Sequence, residues 1–461
     1  MTRSHRRGRS TMHRSFRMKM SARDVRKYRI RCATEDAYVY TWSDLEPSVC
    51  PNGGDHIVET DATVQIESIA EDHVRVNNMP LTQYGRLRTV EDSVLINLRP
   101  GTGISALRDI VTTNNGGQVI SAIGSPTYEL RVSGTGSVAR IRSAQRARFM
   151  AGTCGEVAIG GHFPTRPIDD QRLKFGLFDD DNGFYFVIDA TDLWVVVMTS
   201  EKETKVRRVD FNLDCLDGRG PSGHTIDPFK GYIWTITFGM FGYGAIEFAI
   251  VAEDAMHEQR TIPMHRHYTQ SEPAVAVPNL PITVALESGA SDGDAVAYFT
   301  GRKFCVQGRF EPVTRQGSVF STGASPSPGP ASDWTPVLCI RRKAAFSYVP
   351  VRLYLAEAFC APGNVSVLKV ATGVTVPDDA EWRTPEGHAA TETAVEVCSA
   401  APNTGGICVW QALVRAHTVA PAPTLADVDF YLIESDAVAL FVRDMGDMGD
   451  ISANLRWAEE W

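Results

Sequence analysis

The chain contains no CxxC pair, although it has nine cysteines. Their spacings are wide and their count is odd, which argues against a zinc ribbon or finger. Several sit inside apolar runs, as in Leu338-Cys339-Ile340. Such residues read as small buried hydrophobes and as reduced thiols. The N-terminus lacks the apolar core of a secretory signal. No Leu or Ile occurs before Ile30. The most apolar stretch, 234–252, is interrupted by Glu247 and by glycines at 239, 242 and 244. It reads as two strands around a turn rather than a membrane span. No segment carries a convincing helical period longer than two turns.

What the chain has is strands and turns. Glycine (38) and proline (25) suit many tight connections. The most informative stretch is 174–253. The runs 184–188, 193–198, 232–238 and 245–251 are rich in Val, Ile, Phe, Tyr and Trp. Clusters such as Asp179-Asp-Asp-Asn-Gly183 and Asp217-Gly-Arg-Gly-Pro-Ser-Gly223 separate them. That alternation predicts antiparallel strands joined by tight turns.

The whole chain reads as all-β, with two antiparallel β-sandwich domains of jelly-roll or concanavalin-like type. The expected organisation is a basic flexible arm at 1–31, a short β module at 32–104, a central sandwich at 105–305, a linker at 306–335 and a second β-domain at 336–461. Runs 193–198 and 233–238 are expected in the sheet centres. The charged run 202–208 is expected at an edge. Residues 105–112 suggest a short helical turn. Linker composition peaks at 323–332, rich in Ser, Pro and Gly.

Charge is divided unevenly. The net charge is -9, yet residues 1–31 hold twelve Arg and Lys against Asp24 alone, about +11, leaving about -20 for the rest. A segment so poor in apolar residues does not order itself. Arg3, Arg6, Arg7, Arg9, Arg14, Arg17 and Lys19 form a diffuse cationic patch suited to phosphates, an inner membrane surface or an acidic protein. A solvated tail and an organellar transit peptide are the competing readings of this arm.

Several stretches together are similar to one group of proteins. Tyr40-Thr-Trp-Ser, Glu46-Pro and Cys50-Pro-Asn with His56 resemble a module in structural proteins of large DNA viruses. Asp180-Asp-Asn-Gly-Phe184, Leu216-Asp-Gly-Arg-Gly-Pro-Ser-Gly223, 238–248 and Pro278-Asn-Leu-Pro-Ile282 resemble virion proteins of giant viruses and tailed phages, as does the ending Leu455-Arg-Trp-Ala-Glu-Glu. The resemblance spans most of 32–461 and rests on turn and strand signatures. It implies a virion component: a minor capsid, vertex or surface protein that contacts other capsid proteins and assembles in symmetric copies. It carries no catalytic residue with it.

Candidate sites are weak beside their structural explanations. Asp179, Asp180, Asp181 and Asn182 offer oxygen ligands, but without EF-hand spacing, and a hairpin turn in which Asn-Gly supplies positive φ explains them. The 217–223 loop lacks the helix and lysine of a phosphate cradle. His265 and His267 would share a strand face, with His257 nearby, although surface histidines on an exposed loop or edge are the simpler reading. Cys50, Asp55 and His56 lie close in one loop. Asp292 and Asp294 could serve a glycosidase, but acids in turns are common here. The eight tryptophans, at 42, 194, 234, 334, 382, 410, 457 and 461, read mostly as core, although some could stack on sugar. Asn364-Val-Ser366 is a glycosylation sequon.

The expectation is therefore a non-enzymatic structural protein without metal or cofactor. The alternative is a glycan-binding host-attachment module, predicting exposed aromatics on a concave face or loop rim of 105–305. A polysaccharide-degrading enzyme ranks below both.

Overall fold

The computed structural model describes residues 26–34, 37–43, 50, 58–68 and 91–460, apart from 149, 165, 240–241, 254–258, 270–272, 312–313, 321–333, 360–364, 399–405, 416–429, 433–435 and 445–451. Two units divide the chain, 1–78 with 219–221 and 79–218 with 222–461. The secondary structure is β throughout, with no α-helix among the described residues.

In the first unit, β1 (Arg26–Cys32) pairs with β2 (Ala37–Ser43) and β3 (Val58–Ser68), all antiparallel. The range expected for the flexible arm therefore ends in a strand. Tyr28, Ile30 and Cys32 are buried at period two, and this apolar row sets β1 in place despite the arginines between them. Arg3, Arg6, Arg7, Arg9, Arg14, Arg17 and Lys19 lie outside the described residues.

The second unit begins with a sandwich. One sheet runs in the order β13 (Lys202–Arg207), β12 (Leu193–Thr199), β11 (Gly183–Asp189), β10 (Arg172–Phe178), β17 (Pro281–Glu287), β8 (Val138–Arg146), β5 (Asp109–Asn114). The facing sheet runs β16 (Gln259–His267), β15 (Ile246–Glu253), β14 (Tyr232–Gly239), β9 (Cys154–His162), β18 (Ala295–Gln307), β7 (Tyr128–Val132), β6 (Gln118–Ile120), with β4 (Ser93–Leu98) also on β18. The charged 202–207 run is an edge strand, as expected. The 234–252 stretch is the β14–β15 hairpin. Of the range 105–112 read as a short helical turn, the first part turns, the Asp109 N–H donating to the Ser105 carbonyl at 2.7 Å, and 109–112 belong to strand β5. A 3-10 turn lies earlier, at Pro100–Thr102, where a proline fixes φ for it.

Period-two alternation places one aromatic set between the sheets. Phe175 and Phe186 come from one sheet, Trp234 and Phe248 from the other. Phe175 lies 5.4 Å from Trp234, and Phe186 lies 5.1 Å from Trp234 and 5.3 Å from Phe248, centroid to centroid. Such offset and edge contacts add about 0.5–1.5 kcal/mol per pair beyond area burial. β11 and β12 are buried on both faces, which is why their sequences read as unbroken apolar runs.

The acidic 179–182 turn closes the β10–β11 hairpin without any residue at positive φ. Asp179 does the work instead, its Oδ1 accepting from the backbone N–H of Asp181 at 3.1 Å and of Asn182 at 2.9 Å. Gly183 is needed for space: a Cβ there would lie 2.2 Å from the Phe178 Cβ. The next hairpin does use the left-handed region, at Ser200 (φ 48°) and Glu201 (φ 66°), as a two-residue turn requires.

A second sandwich follows. Its smaller sheet is β19 (Thr314–Phe320), β26 (Ser452–Glu460), β21 (Val351–Phe359). The larger is β23 (Val395–Cys398), β20 (Thr335–Arg342), β25 (Ala437–Asp444), β22 (Val365–Thr372), β24 (Ile407–Arg415). Leu338, Ile340, Leu368, Val370 and Leu440 of the larger sheet share a core with Leu353, Leu455 and Trp457 of the smaller. The range read as a linker thus holds a strand, β19, paired with the C-terminal strand along its length. The C-terminus is tied into a sheet, as its alternation foretold.

Candidate ligand-binding face

The acids and histidines picked out in the sequence are held by structural partners. Arg146 meets Asp179 at 2.9 Å and Arg140 meets Asp180 at 2.7 Å. Asn182 is buried, and its Oδ1 accepts from the backbone N–H of Ser200 and Ala276. In the following loop, Asp214 accepts from the backbone N–H of Leu216 and Ser222, both at 2.8 Å. That loop is tight and structural, with Gly218 and Gly223 at positive φ.

His265 and His267 do share a face of edge strand β16, opposite Phe248 and Ile246. The edge position is as expected, but the exposure is not: His265 is buried and His267 half-buried. Burial also lowers the His267 pKa, since the charged ring loses solvation there. Among the described residues no group of His, Cys, Asp and Glu could hold a metal ion. Asp292 and Asp294 are exposed in the β17–β18 turn. Asp55, His56, His257 and Asn364 lie outside the described residues.

Eight cysteines are described, and all are free thiols. Burial pushes the Cys339 thiol up to about 12 and the Cys305 thiol up to about 11. Since the thiolate is the nucleophile, these two should resist alkylation while exposed Cys408 reacts. Iodoacetamide at pH 8, read by mass spectrometry, is expected to label Cys408 first and Cys339 only on unfolding. Early labelling of Cys339 would contradict its burial.

The described tryptophans divide by burial, with Trp194 half-buried on the outer face of the first sandwich. Trp234, Trp410 and Trp457 are core. Trp334 and Trp382 are half-buried on the outer face of the larger sheet of the second sandwich. Strand alternation builds that face. In β25, Val438, Leu440 and Val442 point into the core, so Ala437, Ala439, Phe441 and Arg443 point out. In β20, Leu338 and Ile340 point in, and Cys339 and Arg341 point out.

Register then sets side chains of different strands together. Ala439 is opposite Cys339 and Ala371, and Cys339 is opposite Cys398. These small residues are buried, with Trp334, Val376, Ala380 and Trp382 packed over them. On one side Lys369 lies opposite Phe441, and on the other Arg341 lies opposite Ala437 and Glu396. Four residues of strand separate the two sides, roughly 13 Å at about 3.3 Å per residue.

Cations cover aromatic rings on both sides. The Arg341 guanidinium lies 4.1 Å from the Trp382 ring centroid and 2.9 Å from Glu396. The Lys369 ammonium lies 4.5 Å from both the Trp334 and the Phe441 rings, and the Arg443 guanidinium 4.9 Å from Trp334. A ring face attracts a cation without neutralising it. Among the described residues no carboxylate pairs with Lys369 or Arg443, and the Arg443 Nε is buried without a partner.

The Arg341 end opens into a cavity of about 490 Å³ lined also by Val374, Val376, Asp378, Trp382 and Asp436. Burial raises the Asp436 pKa. This volume lies in the range of small-ligand sites. The first sandwich offers a different cavity, about 290 Å³ and largely apolar, beside Phe184, Phe238 and Pro273. Its outer sheet face buries Tyr185, Val187 and Val196 rather than displaying aromatics. Among the described residues it presents half-buried Trp194, with the Arg207 guanidinium 5.9 Å from its ring, and exposed Tyr243 and Tyr268. The expectation of aromatics displayed in 105–305 thus finds one tryptophan and two loop tyrosines, while Trp334 and Trp382 stand on the second sandwich.

No known protein family matches the chain, and no curated protein matches it. Solved structures similar to part of it include the binding domain of botulinum neurotoxin DC in complex with rat synaptotagmin II, at 9% identity and a TM-score of 0.31, covering 48% of this chain and 49% of that one. The receptor binding domain of botulinum neurotoxin D is similar at 11% identity and a TM-score of 0.30, covering 48% and 50%. The type G receptor binding domain is similar at 11% and 0.28, covering 46% and 47%. The chain spans about half the length of the solved chains it matches. Scores this low carry no statement about function.

Proposed function

We propose that the chain is a non-catalytic structural component of a virus particle: a minor capsid, vertex or surface protein that mediates assembly contacts. The resemblance of its turn and strand motifs to virion proteins motivates the reading. The observation that carries it is the junction between the two sandwiches, which stiffens them into a scaffold.

Arg148, after the last residues of β8, donates to Tyr431 Oη at 2.6 Å and meets Glu460 at 3.1 Å. Tyr431 in turn donates to Glu460 at 3.0 Å. The guanidinium lies 4.7 Å from the Tyr431 ring and 5.1 Å from the Phe310 ring. Asn279 Nδ2 donates to the Tyr348 carbonyl at 2.7 Å. Arg148 and Glu460 side chains are only 11% and 6% exposed, so this charge pair is fixed where surface pairs are not. A particle component must hold its neighbour contacts at fixed angles, which such a junction serves.

In this reading the arm reaches an acidic neighbour, an inner membrane surface or nucleic acid, and other copies and other capsid proteins cover the scaffold. Residues 1–25 carry Arg3, Arg6, Arg7, Arg9, Arg14, Arg17 and Lys19 but leave β1 intact. Deleting them is expected to abolish incorporation into particles without unfolding the rest. Incorporation at the wild-type level would remove the arm's role. The second reading, a glycan-binding attachment module, is favoured by the cation–aromatic pairs and the cavity of about 490 Å³ on the outer face of the second sandwich.

A further inference from the structure

We infer that the loops 99–106 and 119–126 of the first sandwich form one apolar patch that docks on an anionic lipid surface. The inference goes beyond the particle reading and concerns a surface separate from the arm.

The two loops display aliphatic side chains from a fixed base. Ile123 is 88% exposed, Ile120 39% and Ile104 37%. Ala106, Ala122 and Pro126 are exposed in the same loops. A single exposed hydrophobe needs no explanation, but several on adjoining loops mark an interaction surface. Hydrogen bonds stitch the loops together. The Gly124 N–H donates to the Gly101 carbonyl at 3.0 Å, and Ser121 Oγ donates to the Pro100 carbonyl at 3.2 Å. A Cβ on Gly103 would lie 3.6 Å from Ile123 Cγ1, so one loop rests on the other. Arg108 braces the first loop, donating to Thr102 Oγ1 and to the Gly103 carbonyl. Next to it, Leu107 packs against the core of the second sandwich. The isoleucines are thus held outward rather than left loose.

Charge selects the occupant. From 93 to 128 the charged residues are Arg99, Arg108 and Asp109. Asp109 is engaged by buried Arg302, and Glu129, opposite Ile120, is engaged by Arg131. Among the described residues no carboxylate pairs with Arg99 or Arg108. The patch is therefore aliphatic and cationic, on a chain whose net charge is -9. Anionic headgroups meet the arginines while the isoleucine tips enter the boundary of headgroup and acyl chain. A protein hot spot is built from aromatic or arginine anchors seated in packed pockets. Here aliphatic tips project, and the two loops contain no aromatic residue. Nucleic acid offers phosphates but no apolar phase for the isoleucines.

Vesicle sedimentation tests this. It uses the full chain with the seven arm cations named above, Arg3 to Lys19, changed to glutamine, so that the arm's own attraction is removed. Vesicles of phosphatidylcholine with phosphatidylserine are expected to bind this chain about tenfold more tightly than its Ile104→Ser/Ile123→Ser version, shown to be folded by circular dichroism. Arg99→Gln is expected to weaken binding about fivefold on these vesicles and to leave binding to pure phosphatidylcholine unchanged. Backbone hydrogen exchange should slow on the anionic vesicles within 99–106 and 119–126.

No binding to the anionic vesicles, an unaffected double-serine variant, equal binding to pure phosphatidylcholine, or unchanged exchange in the two loops would overturn the inference. So would tighter binding of polyglutamate through the same residues, which would make the partner an acidic protein. None of these results bears on particle incorporation, so failure here and failure of the assembly reading are read separately.

Discussion

Replacing Arg302 by alanine is expected to destabilise the first sandwich by about 3–5 kcal/mol, because it strands a buried carboxylate. Arg302 stands on β18 and Asp109 on β5, so their ion pair ties the two sheets together. Both side chains are 0% exposed. The guanidinium also lies 4.9 Å from the Tyr128 ring. Its Nε and Nη1 are buried and make no hydrogen bond, so the pair itself is incompletely satisfied.

That detail decides the companion prediction. Replacing both partners together, as Arg302→Met with Asp109→Leu, removes the desolvation cost along with the attraction. It is expected to be nearly neutral, or stabilising by about 1–4 kcal/mol. Urea unfolding of the wild type, the single variant and the double variant measures both. A single variant within about 1 kcal/mol of wild type would show the pair to be solvated.

In the second sandwich, Trp457→Ala is expected to cost about 3–5 kcal/mol. Trp457 is wholly buried on β26. Directly opposite on β19 is Gly317, where an added Cβ would lie 2.4 Å from the indole. The indole Nε1 donates to Glu459 Oε1 at 3.0 Å, and Glu459 also accepts from the Ala394 backbone N–H at 3.0 Å and from Thr393 Oγ1.

Removing the ring therefore opens a cavity and takes one donor from a buried carboxylate. Trp457→Phe should recover much of the packing while still losing the hydrogen bond, a residual cost of about 1–3 kcal/mol. Circular dichroism during urea unfolding reads the series. A cost below about 1 kcal/mol for the alanine variant would mean that β19 and β26 do not share the core.

These two sites show what is legible in the sequence and what is not. The β14–β15 hairpin and the doubly buried β12 follow from their own residues, since apolar runs and glycine turns act locally. β19 does not: its polar Thr-Arg-Gln-Gly becomes a strand only because Gly317 makes room for a tryptophan far along the chain. β1 is hard to read among its arginines, although Tyr28, Ile30 and Cys32 are buried at period two. The 179–183 turn is legible from its Asp-Asn-Gly composition, yet Gly183 answers a steric demand from Phe178 rather than a positive φ.

The candidate face is harder to read. In the sequence Trp334 and Trp382 stand singly. What makes them a site is register, which brings Lys369, Phe441 and Arg341 from three strands to one face, and no local pattern encodes that. The buried His265 was missed similarly, since its cover comes from the 211–212 segment, where the Asn212 N–H donates to its Nδ1 at 3.3 Å.

The central claim is that this chain is built into a particle. The most direct measurement is quantitative mass spectrometry of purified particles after a high-salt and protease wash, with localisation by electron cryotomography. The account predicts a fixed copy number relative to the major shell protein and density at one symmetry-related position. Absence from washed particles, or a copy number that varies freely between preparations, would contradict it.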